Sequence, residues 1–252
     1  MKTNKTLHNS KIWLQLYQNR EYVYWFDNPK PSQINGYNQH HFQALELITS
    51  FFNKNQNGAL VGIFGPMGSG KSALLLLLAD RYKGEYQAYV HNYDRKRNGN
   101  CKVITSWGAG QTIDAYIYQS SQDLINKLNQ LSDKTIVLID EWNFCDDNKI
   151  KVSWMQELVK IIKAKKLLVA ISSLDFSFKK EIWHNAQICL SSCDLAVVLS
   201  SRCTYENCKK PAIFTQLNIN GVPASIKTKT IHVGKVTSEF SPRCSRHHEL
   251  NE

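Results

Sequence analysis

The residues best placed to do chemistry lie in the stretch Leu60 to Ser72, LVGIFGPMGSGKS. Gly65, Pro66, Met67, Gly68, Ser69, Gly70, Lys71 and Ser72 fit the pattern G-x-x-x-x-G-K-[ST] at each fixed position. Glycines so spaced let the backbone curl until successive N–H groups point at phosphate oxygens, and the start of a following helix adds partial positive charge there. Lys71 then reaches the outer phosphates, and the Ser72 hydroxyl suits a magnesium ion. The chemistry implied is binding of a nucleoside triphosphate such as ATP.

Two further groups have chemical spacing. Thr135 to Asp140, TIVLID, is an apolar run ending in an acid and followed by Glu141. In a phosphate-loop protein a strand delivers a carboxylate to the metal in this way. Near the C-terminus, Cys203 and Cys208 sit in RCTYENCKKPA, and Cys244 and His247 in FSPRCSRHH. Two close pairs about 35 residues apart suit a tetrahedral zinc ion, each pair coming from one tight turn. The spacing C-x4-C is wide, and the two-residue gap from Cys244 favours His247 over His248.

Elements must hold these groups in place. Leu60 to Phe64 reads as a buried strand, and Ala73 to Ala79 as a helix. Strands are expected near Gln87 to His91, Lys102 to Thr105 and Ala115 to Tyr118, then a helix over Gln122 to Leu131, the strand at Thr135 to Asp140, a helix over Trp154 to Ile162 and a strand at Leu167 to Ile171. Such alternation predicts an α/β fold, a parallel sheet with flanking helices. Residues 1–55 stand apart as an N-terminal extension, with an aromatic patch at Tyr22 to Phe26, a Pro/Gly/Asn-rich connector and helical spacing over His41 to Phe52. The phosphate-loop domain is expected over 56–199 and a small zinc-binding domain over 200–252.

Composition narrows the class. An apolar fraction of 42% in 252 residues builds a real core, and no run approaches a membrane span. The N-terminus has no apolar leader-like run, so a cytoplasmic location is expected. The net charge of +10 is scattered, as in Lys179 and Lys180 or Lys209 and Lys210, which fits solvated faces and an anionic small substrate better than nucleic acid. Seven cysteines, an odd number, argue for thiols and metal ligands over disulfides.

In order along the chain, these residues resemble the type II thymidine kinases. GPMGSGKS is similar to that family's GPM-x-SGKS loop, DEWNF to its DE-x-QF strand end, and LDFSFKKEIW to its LD-x-x-F-x-x-x-PF segment. CTYENCKKPAIFTQ resembles its first zinc knuckle, and FSPRCSRHH its Y-x-x-x-C-R-x-H. The resemblance implies Glu141 as catalytic base, Asp140 beside the metal and Asn143 on the nucleotide side. It puts Met67, Phe144 and Phe178 around the base of a pyrimidine deoxynucleoside, Phe240 beside that base, and the lasso backbone at Ile231, His232, Val233, Gly234 and Lys235 on its polar edge. Asp94, Arg95 and Arg97 approximate the family's D-x-R, with Lys96 where its arginine falls. Ser106-Trp107 replaces its SH, and Gly234 stands alone where the family has a glycine pair. A homotetramer is implied as well.

The activity so implied is ATP-dependent phosphorylation of the 5′-hydroxyl of thymidine or deoxyuridine, with Mg2+ and a structural Zn2+. Two other readings use the same residues: an ATPase in which Asp140 and Glu141 activate water, or a catalytically altered subunit that binds nucleotide. Periodicity alone makes Phe144, Phe178 and Phe240 core residues, as it does Cys101, Cys145, Cys189 and Cys193.

Overall fold

The computed structural model describes residues 23–26, 37–93, 102–104, 112–231 and 239–252. In chain order the elements are β1 (Val23–Phe26), α1 (Gln39–Lys54), β2 (Ala59–Phe64), α2 (Lys71–Arg81), β3 (Tyr86–His91), β4 (Lys102–Ile104), β5 (Thr112–Asp114) and β6 (Tyr116–Tyr118). There follow α3 (Ser121–Asn129), β7 (Ile136–Asp140), a 3-10 segment (Trp142–Asn148), α4 (Val152–Ala164), β8 (Leu168–Ser173), α5 (His184–Ser192) and β9 (Leu195–Leu199). The lasso region holds β10 (Ser201–Arg202), β11 (Pro211–Ala212), β12 (Phe214–Ile219), β13 (Val222–Pro223) and β14 (Phe240–Arg243).

Among the described residues seven strands pair in the order β1-β9-β2-β8-β7-β3-β6, and each of these pairings is parallel. β2, β7 and β8 are buried along their whole length, as strands covered on both faces must be. Alternate side chains serve opposite layers. Leu60, Phe64, Val137 and Ile139 pack with Leu124, Met155, Leu158 and Ile188 from α3, α4 and α5. Val61, Ile63, Leu138 and Ala170 pack with Ile48 and Phe52 of α1 and Leu74 and Leu78 of α2. Because α2 is pressed between the sheet and α1, Leu74, Leu75 and Leu78 are fully buried, each contributing about 2 kcal/mol.

The α/β sheet with flanking helices follows the sequence pattern. Two additions were not foreseen. The aromatic patch enters the sheet as edge strand β1, with Val23 opposite Ala196, and α5 leads into β9, which lies between β1 and β2. Beyond Leu199 the strands turn short and antiparallel, in the hairpin β10-β11 and the sheet β13-β12-β14. Among the described residues no helix is long and apolar enough to cross a membrane.

Candidate functional site

The loop from Gly65 to Gly70 leaves the C-terminal end of β2 and enters α2. Its shape demands glycine at two places in particular. Gly65 has φ +144°, and a Cβ there would lie 2.1 Å from the Leu199 carbonyl oxygen; Gly70, at φ +88°, caps α2. Lys71 Nζ donates to the carbonyls of Gly65 (3.0 Å) and Pro66 (2.8 Å), which holds its charge over the mouth of the loop.

One strand over from β2, β8 separates the loop from β7. The gap is bridged by side chains. Ser72 Oγ donates to Asp140 Oδ2 at 2.8 Å, Ser172 Oγ of β8 donates to Asp140 Oδ1, and the Glu141 N–H donates to the same oxygen at 3.0 Å. Burial first, and then the neighbouring Glu141 charge, raise the Asp140 carboxyl above its ordinary range. A divalent cation at that carboxylate would offset both effects, and a hydroxyl beside a carboxylate is a donor set that suits magnesium.

Glu141 follows with φ +58°, in the left-handed region. Asp146, Asp147 and Asn148 share that strain, at a cost of about 1–2 kcal/mol per residue. Asn185 of α5 offsets it. Its amide donates to the carbonyls of Trp142 (3.2 Å) and Cys145 (2.6 Å) and accepts the Ile150 N–H at 3.1 Å. Asn143 is fully buried, its Oδ1 accepting the Leu174 N–H at 3.0 Å, so in this structure it braces β8.

The apolar candidates fall into two groups that meet at Met67. Phe144 stands edge-on to Trp183, ring centroids 5.7 Å apart, and near His91 and Tyr93. Phe178 and Phe240 pack with Leu217 and Ala224, and Met67 touches this cluster and the main core alike. The Met67 N–H donates to Thr215 Oγ1 of β12 at 3.0 Å, tying loop to lasso region. Ile231 lines a cavity of about 390 Å³ with Asn148, Lys149, Ser177, Trp183 and Lys229. Asp94, Arg95, Arg97, His232, Val233, Gly234 and Lys235 lie outside the described residues, as do Cys101, Ser106 and Trp107.

Cys203, Cys208, Cys244 and His247 converge, with all ligand atoms within 4.8 Å of one another. The hairpin β10-β11 carries the first pair, and the turn after β14 carries the second. Cys203 Sγ to His247 Nδ1 is 3.7 Å, Cys244 Sγ to His247 Nδ1 3.6 Å and Cys208 Sγ to Cys244 Sγ 4.0 Å. A tetrahedron with metal–sulfur bonds of about 2.3 Å has edges of about 3.6–3.8 Å, so the donor set fits zinc in type and spacing. Tyr205, in the widened knuckle, stacks on the His247 ring at 4.0 Å. His248 turns away, its Nε2 at 3.1 Å from the Thr215 carbonyl.

Sequence reasoning gave no role to Trp183 or Asn185. Trp183 ends the segment LDFSFKKEIW and Thr215 trails the first zinc knuckle in CTYENCKKPAIFTQ, so both were visible there, whereas Asn185 acts through contacts that no spacing announces.

A parallel sheet with a phosphate loop at the end of β2, a carboxylate pair at the end of β7 and a Cys3His lasso region defines a phosphate-loop α/β protein. Residues 58–248 match the family described as Thymidine kinase, and the chain belongs to that family. It is similar to the thymidine kinase of Pyrobaculum aerophilum, 26% identical over 193 residues that cover 76% of this chain and 98% of the relative. The thymidine kinase of Amsacta moorei entomopoxvirus is 28% identical over 156 residues, covering 61% and 81%. That of Mycoplasma capricolum is 24% identical over 201 residues, covering 77% and 90%.

Proposed function

We propose that the protein transfers the γ-phosphoryl group of ATP to the 5′-hydroxyl of thymidine or deoxyuridine. The observation that carries this reading is the 2.8 Å bond from Ser72 to Asp140, which joins the loop helix to the strand end with Glu141 next in the chain. Lys71 and backbone N–H groups of the loop and the first turn of α2 bind the phosphates, as the family's use of ATP requires. Ser72 and Asp140 would hold magnesium, which when bound neutralises charge on the phosphate oxygens.

Glu141 takes the proton of the 5′-hydroxyl while that oxygen bonds to the γ-phosphorus. The bond from phosphorus to the β–γ bridging oxygen breaks, and ADP leaves with its electron pair. Met67, Phe144, Phe178 and Phe240 enclose the flat base, with Trp183 as a further wall, and exclude water. Backbone groups at Ile231, His232, Val233, Gly234 and Lys235 serve the base's polar edge, where a buried group left unpaired costs about 1–3 kcal/mol. Asp94 with Arg95 or Arg97 faces the transferring group, and Asn143 supports the nucleotide side from beneath. Zinc held by Cys203, Cys208, Cys244 and His247 would staple the lasso. A cytoplasmic homotetramer belongs to the same reading, and its mass in solution is directly measurable.

Supplying a panel of nucleosides with ATP and magnesium and scoring monophosphate formation tests the reading. Thymidine or deoxyuridine should be converted well ahead of purine nucleosides. ATP hydrolysis that ignores every nucleoside would point instead to an ATPase.

A further inference from the structure

The phosphate loop is backed by a residue that precedes the family match at residue 58. His41, in the first turn of α1, is 4% exposed, and a Cβ built on Gly70 would lie 1.9 Å from its Nε2. The imidazole thus fills the space that any side chain at position 70 would need. Gly70 is the left-handed residue from which α2 springs, so its backbone sets the direction of Lys71 and of the loop amides.

The ring is itself fixed. Its Nδ1 accepts the Asn38 N–H at 3.1 Å, it lies against His40 with centroids 4.0 Å apart, and Tyr37 meets it edge-on. The helix that carries it is anchored by Leu45, Ile48 and Phe52, which share a core cluster with Leu74, Leu75 and Leu78. With Nδ1 accepting, the proton sits on Nε2, which is buried against the backbone at Gly70 and makes no hydrogen bond there. Burial, and then His40 beside it, push the His41 pKa down to about 3, so the ring is neutral at ordinary pH.

We infer that His41 is a positioning residue for the phosphate loop, its imidazole, wedged against Gly70 with Nε2–H towards the loop backbone, keeping the loop in the shape that receives a triphosphate. A loop ordered in advance binds its ligand without the cost of ordering at that moment. The inference rests on the reading of the protein as an ATP user. The N-terminal helix α1 is then a working part of the nucleotide site.

Mg-ATP binding by calorimetry, with KM for ATP and for thymidine, should be measured in the full chain and in His41→Ala, His41→Gln and His41→Leu, each below its melting temperature. His41→Ala and His41→Leu should bind Mg-ATP about tenfold more weakly and raise the ATP KM in step, with the thymidine KM within about twofold of wild type. His41→Gln, whose amide N–H can replace Nε2–H, should recover most of the affinity. A lowered melting temperature with unchanged ATP affinity in the folded alanine or leucine variant overturns the inference, and the leucine variant keeps the test open if the alanine variant does not fold. Equal loss for ATP and thymidine overturns it too. A wild type that binds no Mg-ATP removes the kinase reading itself, and this inference with it.

Discussion

The Met67 N–H and the Thr215 hydroxyl are 3.0 Å apart, and that bond crosses from the phosphate loop to the second sheet of the molecule. Residues on both sides of it share an apolar cluster, Met67 and Phe178 from the phosphate-loop side with Leu217 and Phe240 from the second sheet. Thr215→Val keeps the shape and removes the acceptor. It should cost about 1 kcal/mol of stability and raise the KM for thymidine several-fold, with ATP binding less affected. Steady-state kinetics beside urea unfolding separates the two effects.

Lys71→Ala should abolish detectable turnover. The ammonium is held at the loop by the Gly65 and Pro66 carbonyls, and no other described lysine makes those contacts. Full activity in this variant would remove the phosphate-loop assignment.

Glu141→Gln preserves volume and the backbone bond to Asp140 but cannot accept the hydroxyl proton. A drop in kcat of about 10²-fold or more, with ATP affinity close to wild type, is expected. Phosphorylation at the wild-type rate would take the base role away from Glu141.

Elemental analysis of protein prepared without chelator should find about one zinc per chain, and Cys244→Ser should lose it. Cys244 is 3% exposed and lies near both Cys208 and His247, so its loss opens two edges of the cluster together. A metal content below about a tenth per chain would rule the site out as a structural zinc centre.

Acid should weaken the fold through His41. Its folded pKa of about 3 lies below the ordinary 6.5, so the contribution is complete above pH 6.5 and is lost as pH falls from there towards 3. At pH 5 the loss is about 2 kcal/mol. The raised carboxyl of Asp140 acts in the opposite sense, which is why the comparison should be made against His41→Gln: the pH 7.5 to pH 5 drop in unfolding free energy should shrink in that variant. An equal drop in both would mean that His41 titrates normally.

The loop, the strand that feeds it and the acid pair were legible because each is local: chemistry and position are written within a few consecutive residues. The cysteine pairs were legible for the same reason, since each pair closes one turn. β1 was not, because four aromatic and branched residues carry no usable period and the partner strand lies near residue 196. α5 was missed for a different cause. Asn185, Ala186, Ile188, Cys189 and Leu190 are buried around most of its circumference, and the exposed stripe His184, Gln187 and Ser191 is too narrow over nine residues to mark a helix. His41 read only as the start of an amphipathic run, since its partner is backbone at Gly70 and backbone leaves no side-chain signature.

The pairing of Val23 with Ala196 also orders events in time. Chains leave the ribosome from the N-terminus, so the strand made first is among the last to find its place, after the two-thirds of the sequence that separates it from β9 has emerged. Until then Val23, Tyr24, Trp25 and Phe26 form an unpaired, aromatic segment. Nascent chains stalled before β9 should therefore be the aggregation-prone species, and ones stalled after it should be protease-resistant.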